Sequence, residues 1–239
     1  MQTQLFHPLC LCLQNISGFM HLAGLVQIMS YIELKNVNKV IKGRQILKNI
    51  NLSIEKGTIT GLIGINGSGK TMLLRAISGL IRVDGEIKIN GKKLENGTFP
   101  EDIGVLIEMP GFLPEFTGKK NLELLAMIQD NVSKEAIEEA LIAVGLNPND
   151  RRNYRKYSLG MRERLGIAQA IMNKPKLILL DEPTNGIDAD GIENLKQLIL
   201  KLKEEGLTLV IASHDMQFLD MLDAQKYEIK EGELCEYID

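Results

Sequence analysis

The sequence contains no tryptophan, and its aromatic content is only 5% of 239 residues. An aromatic platform on which single-stranded nucleic acid could stack is therefore not expected. Basic residues are not in excess either, since the formal net charge is −3, whereas a phosphate backbone calls for a basic surface. Three cysteines are too few for a disulfide framework, which favours a reducing compartment. We therefore expect a protein that has no nucleic acid as its partner.

Charged residues are absent from positions 1–28, a stretch that also holds two of the three cysteines. The stretch is apolar, but polar residues such as Gln14 interrupt it and it has no positively charged start. A membrane anchor or a signal peptide is therefore disfavoured. Cys10 and Cys12 have no second pair nearby, which disfavours a metal site. We expect this extension to lie outside the folded domain and favour Met29 as the true start of translation.

The remainder, residues 31–239, is expected to form one α/β domain. The segments YIELKNV and INLSIEKG alternate apolar and polar residues with a period of two, which predicts strands. The segment LILLD is apolar at every position before its aspartate, as in a parallel sheet covered on both faces, and amphipathic helical patterns flank it. This alternation of strands and helices indicates an α/β core. A helical block at about 113–160 is expected to be an insertion within it.

A glycine-rich loop follows an apolar strand, precedes an amphipathic helix and matches the phosphate-loop pattern G-x-x-x-x-G-K-T. Glycines allow backbone N–H groups to curl around phosphate oxygens, and the helix N-terminus adds the positive end of a dipole. Lys70 is predicted to contact the terminal phosphates, and the Thr71 hydroxyl is predicted to ligate Mg²⁺. The predicted nucleotide-binding positions in this loop are Gly64, Asn66, Gly67, Ser68, Gly69, Lys70 and Thr71.

Two carboxylates, Asp181 and Glu182, directly follow the apolar run LILL. Open α/β sheets bind their ligands at the carboxyl ends of their strands. Asp181 is predicted to hold Mg²⁺ through water, and Glu182 to orient and polarise an attacking water. Such an acidic pair alone is a weak signal, but beside a phosphate loop it indicates a site that hydrolyses a nucleotide.

The segment YSLGMR opens the helix before LILLD. With this third motif, residues 31–239 resemble the ATP-binding cassette (ABC) ATPases, whose signature is usually Leu-Ser-Gly-Gly-Gln. Ser158 and Gly160 match that signature, whereas Leu159 and Met161 depart from it. The resemblance implies a P-loop NTPase core with an antiparallel β subdomain and an inserted α-helical subdomain.

The resemblance also implies roles for three further residues. Asp188 falls in the D-loop that follows the acidic pair, and His214 occupies the place of the switch histidine. Ile41 occupies the place of an aromatic residue that normally stacks on adenine, which implies weaker or less base-selective binding. The catalytic residues that the resemblance implies are Lys70, Glu182 and His214.

A head-to-tail dimer with two ATP molecules and Mg²⁺ at its interface is a further implication of the resemblance. Each site would take its phosphate loop and Glu182 from one subunit, and Ser158 and Gly160 from the second copy. Helix N-termini from both subunits can then face the same phosphate. Bound ATP would favour the closed dimer, and hydrolysis would release it.

Glu108 ends the segment IGVLIE, a short strand that stops at a turn. ABC proteins normally carry a glutamine here that touches Mg²⁺ or the attacking water, in a loop that senses the membrane partner. Glutamate here, together with Ser-Leu-Gly-Met in the signature, resembles the bacitracin-resistance and lantibiotic-immunity subgroup. Glu108 is therefore expected to join Thr71 and Asp181 around the metal.

These resemblances imply a cytoplasmic ATPase, peripheral on the inner face of the cell membrane, that powers separate integral-membrane permease subunits of a bacterial exporter for antimicrobial peptides. One alternative is the ATPase of another drug or lipid exporter. A second is a soluble ABC switch protein of translation or repair, which the lack of basic charge disfavours. A third alternative, a P-loop kinase, is disfavoured because a kinase does not need Ser158 or His214.

Overall fold

The computed structural model describes residues 30–108, 110–128 and 132–237, so the extension at 1–28 and Met29 lie outside the described residues. In chain order the strands are β1 (Ser30–Ile41), β2 (Arg44–Glu55), β3 (Ile59–Ile63), β4 (Asp84–Ile89), β5 (Lys92–Lys93), β6 (Ile103–Leu106), β7 (Leu177–Asp181), β8 (Thr208–Ala212), β9 (Gln225–Lys230) and β10 (Glu233–Glu236). The α-helices are α1 (Lys70–Ile77), α2 (Gly118–Ala126), α3 (Lys134–Ala143), α4 (Leu159–Ile171), α5 (Ala189–Glu204) and α6 (Met216–Met221), and a 3-10 turn spans Tyr154–Lys156.

The strands form two sheets. One is antiparallel and has the strand order β2-β1-β4-β5. The other has the order β10-β9-β3-β8-β7-β6, in which β9 to β6 run parallel and β10 is an antiparallel edge strand. The predicted α/β class with a separate antiparallel sheet is confirmed.

The parallel sheet is buried on both faces because alternate residues of its strands enter two different cores. Ile178 and Leu180 of β7 belong to the core that includes residues of α4 and α5. Leu177 and Leu179 point the other way, into the core shared with α1 and the antiparallel sheet. Since side chains alternate along a strand, this double burial explains why LILLD is apolar at every position before its terminal aspartate.

Side chains cap most of the helices at the point where the sequence leaves a loop. Thr117, Ser133, Ser158 and Asp188 each accept a hydrogen bond from a backbone N–H in the first turn of α2, α3, α4 and α5. Such a cap contributes about 1 kcal/mol. Helices α2 and α3 lie in the range 113–160 where the sequence predicts a helical insertion, and the boundary of that insertion stays a prediction. No helix in the described part of the chain is both long and apolar enough to span a membrane.

Gly104 of β6 lets this edge strand approach α4 closely. A β-carbon at Gly104 would overlap the carbonyl oxygen of Ala170 and lie 2.9 Å from Cγ of Pro175. Strand β6 therefore needs glycine here because of packing, not because of an unusual backbone angle.

We predict that Gly104→Ala destabilises the protein by at least about 2 kcal/mol, because the backbone of α4 cannot give way locally. Urea unfolding of the nucleotide-free protein measures the change. Gly111→Ala is the matched control, since a β-carbon at Gly111 would meet nothing within 4 Å. Equal losses in the two variants would refute the close packing of β6 on α4.

Candidate functional site

Four neighbouring parallel strands, in the order β3-β8-β7-β6, end at one edge of the sheet. Each strand is followed by residues that the sequence singles out. The phosphate loop follows β3, His214 follows β8, Asp181 and Glu182 lie at the end of β7, and Glu108 follows β6. Parallel strands in an open sheet bring such segments to a common crevice.

The phosphate loop is held in place by the turn between β9 and β10. The N–H of Gly232 donates to the carbonyl of Ser68 (3.0 Å), and the N–H of Ser68 donates to the carbonyl of Ile65 (3.1 Å). Gly64 has a φ of +149°, and a β-carbon there would overlap the backbone oxygen of Ile229. This glycine is required by the close approach of β9, in addition to any role in binding phosphate.

Lys70 is the first residue of α1, and only 5% of its surface is exposed. Its Nζ donates to the carbonyl of Gly64 at 2.7 Å and lies 3.3 Å from Oε1 of Glu182. A buried ammonium is costly unless nearby oxygens compensate it. The loop carbonyl and the carboxylate at the end of β7 supply that compensation.

Thr71 and Asp181 form a polar pair across the crevice, in which the Thr71 hydroxyl donates to Oδ2 of Asp181 at 2.7 Å. Burial raises the pKa of Asp181, and the charges of Glu182 and Glu108 add to the rise, while the Thr71 bond and Lys70 oppose it. Oδ1 of Asp181 is buried and has no hydrogen-bond partner among the described residues. A hydroxyl beside an unpaired carboxylate oxygen is a donor set that fits Mg²⁺, which commonly takes one or two protein oxygens together with phosphates and waters.

Glu182 is oriented by the segment that follows β8. Its backbone has a φ of +50°, and its N–H donates to the carbonyl of Ala212 at 2.7 Å. Oε2 of Glu182 accepts from the backbone N–H of His214 (3.2 Å) and lies 2.7 Å from Nδ1 of His214. Since a carboxylate only accepts, Nδ1 of His214 carries the proton in this contact.

Glu108 adopts a φ of +60°, and 64% of its side chain is exposed. Oε1 of Glu108 lies 2.7 Å from Nη2 of Arg75, in the last turn of α1. The sequence gives no signal for Arg75, because a contact between residues so far apart in the chain is created only by folding. The structure thus pairs Glu108 with a cation, and its predicted role as a metal ligand stays a prediction.

The signature residues lie against the D-loop of the same chain. Ser158 and Asp188 cap α4 and α5, and Gly160 packs closely against Gly186. Ile41 is 39% exposed at the end of β1, where it pairs with Arg44 across the hairpin.

Glu163 is a buried acid of the site region that sequence reasoning missed. It lies on α4 with 6% of its surface exposed. Burial raises the pKa of Glu163 to about 7, and the charge of Asp181 adds to the rise. The available signal was a glutamate inside a helix whose neighbours Leu165 and Ile167 belong to the core.

Comparisons with known proteins agree on one family. The family model described as ABC transporter matches residues 47–185. An uncharacterized ABC transporter ATP-binding protein of Bacillus subtilis is 43% identical over 205 residues, which cover 85% of this chain and 94% of that protein. The bacitracin transport ATP-binding protein BcrA of Enterococcus faecalis is 38% identical, with coverage of 89% and 71%. The lantibiotic transport ATP-binding protein SrtF of Streptococcus pyogenes is 36% identical, with coverage of 80% and 83%.

Solved structures show the same architecture. A dimeric ATP-binding cassette in a post-hydrolysis state, bound to ADP and Pi, matches with a TM-score of 0.76 at 27% identity. The match covers 87% of this chain and 99% of that chain.

We predict that Glu163→Gln removes a pH-dependent loss of stability. The folded-state pKa of Glu163 lies above the ordinary value of 4.5, so its stabilising contribution is complete below that value and is lost as pH rises through about 7. Relative to the unsubstituted protein, the variant should gain up to about 3 kcal/mol of unfolding free energy between about pH 5 and pH 8.

Urea titrations of the protein without nucleotide or Mg²⁺ at several pH values test this gain. Glu204→Gln, an exposed position on α5, is the control. A stability difference between Glu163→Gln and the unsubstituted protein that stays constant with pH would contradict the titration of Glu163.

Proposed function

The chain belongs to the ABC transporter family, and on this premise we propose that it is the ATP-hydrolysing subunit of a bacterial exporter of antimicrobial peptides. The predicted resemblance to bacitracin and lantibiotic transport ATP-binding proteins is confirmed by its relatives, and the predicted fold is confirmed by the solved cassettes. As an ABC ATPase the chain is expected to bind and hydrolyse ATP. The observation that carries the hydrolytic role is the contact of Glu182 with both Lys70 and His214, beside the Thr71–Asp181 pair. The peptide-export role is supported by the bacitracin and lantibiotic transport relatives.

The proposed hydrolytic step uses the two oxygens of Glu182 differently. Oε2 is held by two N–H groups of His214, whereas Oε1 faces Lys70. When ATP enters the loop, its phosphate oxygens replace Gly64 and Glu182 as partners of the Lys70 ammonium. Oε1 then accepts the proton of the attacking water. The water oxygen bonds to the γ-phosphorus as the bond from that phosphorus to ADP breaks.

Thr71 is proposed to hold Mg²⁺ through its hydroxyl, and Asp181 through a water that the unpaired Oδ1 can bind. When bound, the ion neutralises phosphate charge and orients the phosphates. Glu108 is proposed to add its carboxylate to this cluster after it leaves Arg75.

The site is proposed to be completed by a second copy of the chain, arranged head to tail. Ser158 and Gly160 lie at the N-terminus of α4, where backbone N–H groups can face a phosphate bound to the partner's loop. In the proposed dimer Ile41 packs on the adenine, and Asp188 lines the interface.

The permease is proposed to dock at the groove beside Glu108. This groove is lined by Leu80, Phe99, Ile107 and Phe112, and the side chains of Leu80 and Phe99 are exposed. Clustered exposed apolar side chains are typical of protein–protein contacts. A contact here would place the ATPase at the inner face of the cell membrane and link the Glu108 loop to the permease.

Deletion of the gene, followed by an antimicrobial-peptide susceptibility panel, tests the exporter role. Increased sensitivity to bacitracin or a lantibiotic, restored by the intact gene and not by a Lys70→Ala copy, is the expected result. Unchanged sensitivity to every peptide, with altered sensitivity to other drugs, would overturn the peptide assignment.

We predict that Glu182→Gln retains ATP binding, lowers turnover by about 10²- to 10⁴-fold and accumulates an ATP-bound dimer. The amide keeps the shape of the side chain but cannot take the water proton. Phosphate release, equilibrium ATP binding and gel filtration with ATP are the measurements. Glu55→Gln, at an exposed position at the end of β2, serves as the control, and full activity of Glu182→Gln would assign the base elsewhere.

We predict that Glu108→Gln impairs peptide resistance more than ATP affinity. The substitution removes the ion pair with Arg75, and an exposed pair contributes only about 0.2–1 kcal/mol, so the ATP dissociation constant should change by less than about fivefold. Resistance of cells that carry the permease and the variant is compared with ATP affinity of the isolated subunit. Glu101→Gln, which breaks the exposed pair with Lys92, is the control, and unchanged resistance with Glu108→Gln would remove the proposed coupling role.

A further inference from the structure

Leu159, one of the two signature residues that depart from the commonest ABC pattern, packs over Gly186 in the same chain. A β-carbon at Gly186 would overlap Cδ2 of Leu159 and lie 2.5 Å from its Cγ and 3.1 Å from its Cβ. Gly186 has a φ of +70°, a left-handed conformation that glycine adopts without strain. About half of the surface of Leu159 is exposed (53%). Its contact with Gly186 belongs to the buried half.

Gly160 makes a second close approach to the same turn. A β-carbon at Gly160 would lie 2.6 Å from the carbonyl oxygen of Gly186 and 3.5 Å from Cα of Ile187. The first turn of α4 and the turn after β7 therefore meet along two consecutive residues. Glycine at 160 and at 186 is what allows their backbones to come this close.

The turn that contains Gly186 also includes Glu182. The N–H of Asn185 donates to the carbonyl of Glu182 (3.1 Å), and the N–H of Ile187 donates to the carbonyl of Thr184 (3.2 Å). Asp188 ends the turn by capping α5. Two overlapping hydrogen-bonded turns therefore connect the backbone of Gly186 with that of Glu182.

From these contacts we infer that Leu159 is a positioning residue, which holds the 182–188 turn against the start of α4 and thereby helps to fix the backbone of Glu182. The leucine and the glycine are complementary, because the leucine fills the space that a side chain at 186 would occupy. The predicted effect of Leu159 on ATP turnover rests on the proposed function, whereas the contact between Leu159 and Gly186 does not.

A double-mutant cycle on the full chain without nucleotide tests the contact. The cycle combines Leu159→Gly, Gly186→Ala and the double variant, and Gly206→Ala is the control. Gly206 has a φ of +86° and open space around it, so alanine there reports the cost of the left-handed backbone alone.

We expect Gly186→Ala to raise the unfolding equilibrium constant at least about tenfold more in the natural background than in the Leu159→Gly background. In the Leu159→Gly background its effect should match that of Gly206→Ala. Equal effects of Gly186→Ala in both backgrounds would overturn the contact.

Turnover separates a positioning role from a purely structural one. Below the unfolding transition, Leu159→Gly should lower kcat for ATP about tenfold while KM changes less than about threefold, because Glu182 loses its fixed position and the phosphate loop does not. If the double-mutant cycle is non-additive but Leu159→Gly leaves kcat unchanged, the contact exists and the positioning role is overturned. Absence of ATP hydrolysis by the unsubstituted protein would instead refute the proposed function and leave the cycle to decide the contact.

Discussion

The buried ammonium of Lys70 is the constraint on which the site depends. A charge that is only 5% exposed must be met by oxygens within a few ångströms, and those oxygens come from Gly64 and Glu182. The first belongs to the loop after β3, and the second to the end of β7. Because His214 holds Glu182 from the end of β8, this charge and its carboxylate partner connect three adjacent strand ends.

The double burial of the parallel sheet makes that arrangement rigid. One face is covered by α1 and the antiparallel sheet, and the other by α4, α5 and α6. The helices on opposite faces also carry residues that reach the same edge. Arg75 of α1 contacts Glu108 after β6, and Leu159 of α4 contacts Gly186 after β7. The crevice is therefore in contact with helices from both faces of the parallel sheet.

Most of the fold follows from local patterns in the sequence. The apolar run before Asp181 becomes β7, the glycine loop leads into α1, and the segment YSLGMR opens α4 as predicted. The strands β9 and β10 and the short helix α6 were not predicted, because only two apolar residues alternate within QKYEIK and MQFLDM is too short for a reliable helical period. Their positions depend on pairing with β3 and packing on the core, which are long-range interactions.

The sequence by itself identified the candidate residues for the chemistry, because a phosphate loop, an acidic pair and a histidine at strand ends are recognisable from residue type and order. Only the tertiary structure decided their partners. Folding placed Lys70 on Glu182, Arg75 on Glu108 and Leu159 on Gly186. The physical reason is that motifs arise from neighbours in the chain, whereas ion pairs and steric fits depend on distances that strand order and helix packing set.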